Sequence, residues 1–160
     1  MLGHNFVNFE NSSPVPALVG KAYGVVLDLG AGSGNQLHRL NADRLSRVFG
    51  IESKAVFTPA LLAKIKENAF EDIYTPIICR AEDVEAELAL QNVTAGAIDC
   101  ILSIQLLCSV DDTKTVVQHL HRLLKPGGEL IFWEHQENET DWITRFAQGA
   151  FSHSSRHQCH

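Results

Sequence analysis

Five short apolar runs alternate along this chain with stretches whose apolar positions recur at helical spacing. The first, Tyr23-Gly24-Val25-Val26-Leu27-Asp28-Leu29-Gly30, is closed by glycines and predicts a buried strand. Asn35–Leu45 follows as a helix with Leu37 and Leu40 on one face, and Arg47–Glu52 as a second strand. Thr58-Pro59 predicts an N-cap and a proline at the first helical position, opening a helix to about Ala69. Ile73–Cys79 is a third strand. Pro76 inside it cannot donate to a ladder, which assigns this strand to a sheet edge. An acidic helix over Glu82–Gln91 and a fourth strand over Ala97–Ile104 come next. Asp111 or Asp112 caps a helix carrying Val116, Val117, Leu120, Leu123 and Leu124. Pro126-Gly127-Gly128 stops that helix before a fifth strand, Glu129–Glu134.

Strands alternating with helices at this spacing predict βαβ units: an α/β, doubly wound, mostly parallel sheet in the order 3-2-1-4-5. Serines and prolines at Ser12, Ser13, Pro14 and Pro16 make residues 1–24 an irregular lead-in. Residues 25–151 form the domain, its last part helical over Asn138–Phe151, and 152–160 a disordered tail.

Composition narrows the partners. At 160 residues, 45% hydrophobic and 20% charged, the chain has the makings of one soluble domain that buries its own core. A net charge of −6 argues against a nucleic-acid face or a polybasic membrane patch, and no run is long enough for a membrane span. Met1–Gly20 has the pattern of neither half of a secretory signal. None of the four cysteines, Cys79, Cys100, Cys108 and Cys159, forms a CxxC, so reduced thiols and a cytoplasmic location are expected. His153, His157, Cys159 and His160 carry zinc-binding side chains without a framework to fix them, so no metal site is expected.

In an open parallel sheet, ligands bind beyond the carboxyl ends of the strands. The turn after the first strand is Asp28-Leu29-Gly30-Ala31-Gly32-Ser33-Gly34-Asn35. Its glycines permit a sharp bend and a close ligand approach, and the start of the next helix would offer free N–H groups. A dinucleotide fingerprint, GxGxxG, would need glycine where Asn35 stands, which disfavours a nicotinamide oxidoreductase.

The turn reads instead as acid-x-Gly-x-Gly-x-Gly, and on it the chain resembles the class I S-adenosylmethionine-dependent methyltransferase superfamily. Other stations agree in order. Glu52 ends the second strand, Cys79-Arg80-Ala81-Glu82-Asp83 the third, Ala97–Ser103 is similar to the fourth-strand signature, and Leu123–Gly128 to the turn before the fifth. Leu102–Val110 with Trp133-Glu134-His135 is similar to small-molecule methyltransferases of the methyltransferase-like protein 7 group.

The resemblance implies S-adenosyl-L-methionine as cofactor and methyl transfer to oxygen, sulfur or nitrogen of a small-molecule acceptor. It implies that Asp28, Gly30, Ala31, Gly32 and Gly34 hold the amino-acid end of the cofactor and Glu52 the ribose. Ala81 and Glu82 would meet the adenine, and Ser103 would face the cleft, as would Gln105. Glu134 and His135 are the candidate general base or substrate-orienting pair, and Asp99 a structural acid. Arg80 replaces the aspartate many relatives carry, which moves adenine recognition to Glu82 or the backbone around Ala81. The superfamily's closing hairpin, strands six and seven, is expected to be missing. That leaves a fifth-strand edge, with Leu130, Phe132 and Trp133, inclined to self-association, and predicts turnover weaker than binding. The alternative is a shortened, non-catalytic cofactor-binding or interaction protein.

Overall fold

A computed structural model describes residues 9–134. His135, the expected helix over Asn138–Phe151, the tail, and any sequel to the fifth strand lie outside the described residues. The elements run α1 (Val15–Val19), β1 (Gly24–Leu29), β2 (Leu45–Glu52), α2 (Thr58–Glu67), β3 (Tyr74–Ile78), α3 (Val84–Leu90), β4 (Ile98–Ile104), α4 (Thr113–Leu123) and β5 (Leu124–Trp133). All four strand pairings are parallel, in the order β3-β2-β1-β4-β5. Pro76 sits in β3 opposite Gly50, and β3 pairs with β2 alone among the described residues, as a proline-bearing strand must.

Period-two alternation along the strands sends side chains to two cores. Val26, Val48, Cys100 and Leu102 pack beneath α1 and the Leu61/Ile65 face of α2. Leu27, Phe49, Ile77 and Ile101 pack against Val84 and Leu88 of α3 and Val116, Leu120 and Leu123 of α4. The sheet is therefore covered on both faces. Alternation slips where the β4–β5 register shifts between Ile98 and Cys100. Asp99 occupies that slip, accepting from the Val25 N–H at 2.8 Å and pairing with Lys125 Nζ at 2.7 Å.

Several local expectations are corrected. The lead-in contains α1, because Pro14 at the N-cap and Pro16 in the first turn start a helix, and Val15 and Val19 are wholly buried. No α-helix follows the glycine-rich turn. Leu37–Arg39 and Ala42–Arg44 form separate 3-10 turns, the second capped by Asn41. Thr58 is the first helical residue rather than the cap, which is Phe57 with no side-chain cap bond. The acidic helix starts with a 3-10 turn at Ala81–Asp83. Leu124 already pairs with Ile98, so Lys125–Gly128 bulges within β5 instead of preceding it. Asp112, not Asp111, caps α4, its Oδ1 accepting from the Thr115 N–H at 3.0 Å.

Candidate functional site

The order 3-2-1-4-5 reverses direction between β1 and β4, and loops leaving two such strands diverge to open a crevice. Here that crevice is a small open cleft. Gly30 and Ile51 line it from β1 and β2, continued by Glu52 and Ser53. Cys79 to Glu82 form the next side, and Leu106, Ser109 and Val110 close it from beyond β4.

The glycine-rich turn is folded back onto β2. The N–H groups of Gly30 and Ala31 both donate to the Ile51 carbonyl at 2.9 Å, and Gly34 donates to Ala31 at 2.9 Å. Gly30, with φ +74°, presents no Cβ to the cleft; one placed there would meet Leu106 Cδ1 at 3.1 Å. Gly34 serves packing instead, since a Cβ there would press on Lys64 and Leu61 of α2 at 3.0 and 3.2 Å.

Glu52 is the polar centre of the cleft. Only 8% exposed, it accepts from the Gly32 N–H through Oε2 at 2.9 Å and from the Lys54 N–H through Oε1 at 2.8 Å. Each oxygen thus spends one strong bond on the backbone and retains acceptor capacity for a pair of hydroxyls. Across the cleft, Arg80 bridges the loops after β3 and β4, reaching Asp111 Oδ2 at 2.6 Å and Glu82 Oε1 at 3.2 Å. Glu82 also accepts from the Asp111 N–H at 3.3 Å. Burial, reinforced by Glu87 and Asp83, pushes the Cys79 thiol up to about 11, so at neutral pH it is an uncharged lining group rather than a thiolate.

Of the sequence candidates, the structure brings Gly30, Glu52, Ala81 and Glu82 to the cleft lining. Asp28, Ala31, Gly32, Gly34 and Ser103 are not part of that lining. Asp28 is buried on the α1/α2 side, where the Tyr74 hydroxyl donates to Oδ2 at 2.8 Å. Desolvation raises its carboxyl to about 6 despite that bond. The Tyr74 ring crosses β2 at Gly50, where any Cβ would collide with it. Ser103 is fully buried and donates to Glu134 Oε1 at 3.0 Å. The same oxygen accepts from the N–H groups of Leu106 at 3.1 Å and Leu107 at 3.0 Å. Glu134 thus spends Oε1 on the loop after β4 and has Oε2 buried without a hydrogen-bond partner among the described residues, while His135 lies outside them.

Sequence reading missed Tyr74, Leu106 and the Arg80–Asp111 bridge. Gly50 in mid-strand was the available signal for Tyr74, since a strand glycine marks a close approach. Also missed was the pair of buried side chains Glu10 and Arg39, at 3.1 Å, which ties the lead-in to the segment after the turn.

The family model described as "Methyltransferase domain" matches residues 27–132. Human thiol S-methyltransferase TMT1B is 28% identical over 127 residues, covering 79% of this chain and 49% of that protein. The [4+2]-cyclase SpnF superposes with a TM-score of 0.65 at 20% identity, over 85% of this chain and 46% of the cyclase. Geranyl diphosphate C-methyltransferase from Streptomyces coelicolor A3(2), a complex with S-adenosyl-L-homocysteine, gives 0.60 at 20% identity, over 82% and 45%. The chain thus spans about half the length, or less, of these relatives.

Proposed function

The chain belongs to the methyltransferase-domain family, with S-adenosyl-L-methionine as its cofactor, and from that premise we propose that it methylates a small molecule, with sulfur as the acceptor atom. The observation that carries the reading is Glu52 in a cleft at the sheet's switch point, each of its oxygens anchored by a backbone N–H. Sulfur is favoured over oxygen or nitrogen by the likeness to the human thiol S-methyltransferase.

The residues present fit the cofactor. Glu52 keeps unused acceptor capacity for the ribose hydroxyls, and the small side chain of Ala81 in the lining suits a flat base. When bound, the cofactor supplies an electrophilic methyl group on a sulfonium. The chain's own work is to bind, align and exclude water, which is most of what an in-line displacement asks of a protein. Glu52 anchors, and the loop carrying Leu106 walls the cleft. A base is needed only for an acceptor that arrives protonated. No group of three His, Cys, Asp or Glu is placed to hold a metal ion among the described residues.

No helix of the described residues is long and apolar enough to cross a membrane. A cytoplasmic location belongs to the same proposal, supported by Cys79, Cys100 and Cys108 being free thiols. So does self-association through β5, supported by Phe132 at 59% exposure; light scattering at rising concentration tests it. The decisive experiment measures S-adenosylhomocysteine release with thiol, phenol and amine acceptors. Thiol-dependent release is expected. Binding of the cofactor without release on any acceptor would favour the alternative, a non-catalytic binding protein.

A further inference from the structure

Resting on the cofactor reading above, we propose that Glu134 is a positioning residue that holds the loop after β4 so that Leu106 forms a wall of the cleft. Trp133 pairs with Ile104, so Glu134 emerges beside the residues that leave β4. There the backbone turns abruptly. Gln105 has φ +59°, the left-handed region that non-glycine residues seldom enter, and its N–H donates to the Trp133 carbonyl at 2.8 Å. Such a conformation persists only where its surroundings hold it.

Beyond that bond, one carboxylate oxygen gathers the loop. Glu134 Oε1 receives the two N–H groups that follow the bend, from Leu106 and Leu107, together with the Ser103 hydroxyl. The bonds to the loop come from across the sheet, so they fix the loop relative to β5 as well as to β4. Leu106 is the first residue so held, and its side chain lies against Gly30, with Cδ1 3.1 Å and Cβ 3.3 Å from where a Cβ on that glycine would be. Leu106 and Gly30 both line the cleft. A carboxylate on β5 thereby sets the distance between the wall after β4 and the floor after β1. Oε2 of the same carboxylate is buried without a hydrogen-bond partner among the described residues.

Amide hydrogen exchange on the full chain without cofactor tests the first half. Leu106 and Leu107 should be protected in the wild type and exchange at least about tenfold faster in Glu134→Ala, with Val26–Leu29 of β1 unchanged. Glu134→Gln retains an acceptor oxygen and should restore most of the protection. Titration with S-adenosylhomocysteine tests the second half: Glu134→Ala should bind about tenfold more weakly and Glu134→Gln within about threefold of wild type. Leu106→Ala leaves the Glu134 bonds in place and should also lose about tenfold, which keeps the proposal testable if Glu134→Ala unfolds. Unchanged exchange at Leu106 and Leu107 in Glu134→Ala would overturn it, as would unchanged affinity in Leu106→Ala. So would a Glu134→Gln variant that binds normally yet loses turnover, the pattern of a general base acting through Oε2. A wild type that failed to bind S-adenosylhomocysteine would instead remove the cofactor reading, and with it the cleft role, while the exchange pattern would still identify Glu134 as the loop's holder.

Discussion

Both halves of the sheet end in a glutamate that gathers backbone N–H groups, and they use it differently. On the β1–β2 half, Glu52 takes one N–H on each oxygen, from Gly32 and Lys54, and lines the cleft. On the β4–β5 half, Glu134 takes three donors on one oxygen and is not part of the lining. The first carboxylate is anchored through both oxygens and lines open space, whereas the second spends Oε1 on a loop and keeps Oε2 buried without a hydrogen-bond partner among the described residues. A third acid, Asp28, sits behind the first half with a single donor and no cleft contact. Residue type and strand-end position are shared by the two glutamates; what separates them is that one lines the cleft and the other does not.

The largest effect that would sharpen this contrast concerns Asp28. Its carboxyl, ordinarily near 3.8, is raised to about 6 by burial, so the folded protein binds that proton more tightly than the unfolded chain does. The associated stability is fully present below the ordinary value and is lost as pH rises through about 6. The swing is on the order of 3 kcal/mol at most. Asp28→Asn keeps an acceptor for Tyr74 and removes the titration. The difference in unfolding free energy between variant and wild type should therefore grow in the variant's favour by up to about 3 kcal/mol from pH 4 to pH 7. A difference that stays flat in urea titrations across that range would contradict the buried, single-donor picture of this acid.

Gly50→Ala comes next. A methyl group at that position would displace the Tyr74 ring and strip Asp28 of its donor, for a loss of about 1–3 kcal/mol. Differential scanning calorimetry at pH 7 should show the midpoint falling by several degrees, and an unchanged midpoint would mean that Tyr74 does not cross β2 there. Arg80→Ala should do least. Arg80 and Asp111 are 58% and 84% exposed, so their bridge between the halves is open to solvent. Its loss should leave the urea midpoint little changed, and less changed still with added salt. A larger, salt-independent loss would show that the two halves depend on each other more than the contrast allows.

Much of the sheet was legible because burial on two faces writes itself into sequence as short apolar runs, and Pro76 then marks the edge. The segment after the turn was not. Leu37 and Leu40 have helical spacing, but the chain must reach Leu45 and begin pairing with Gly24, and it does so in two tight turns instead of a helix. In the lead-in, Pro14 and Pro16 look like breakers in the sequence, whereas at the first turn of α1 they start a helix. In the site, Gly30 and Glu52 could be found from local pattern and strand spacing. The partners of Asp28 and Glu134 could not, since Tyr74 lies 46 positions from the first and Ser103 31 from the second. Such pairings exist only once the sheet has brought the strands together.

The central claim is that Glu52 reads the cofactor in this cleft, and isothermal titration with S-adenosylhomocysteine tests it most directly. The wild type should bind, and Glu52→Ala, shown by circular dichroism to be folded, should bind more weakly by about ten- to a hundredfold, the worth of one charge-assisted hydrogen bond to the ribose. Equal affinity in the folded variant would contradict the account.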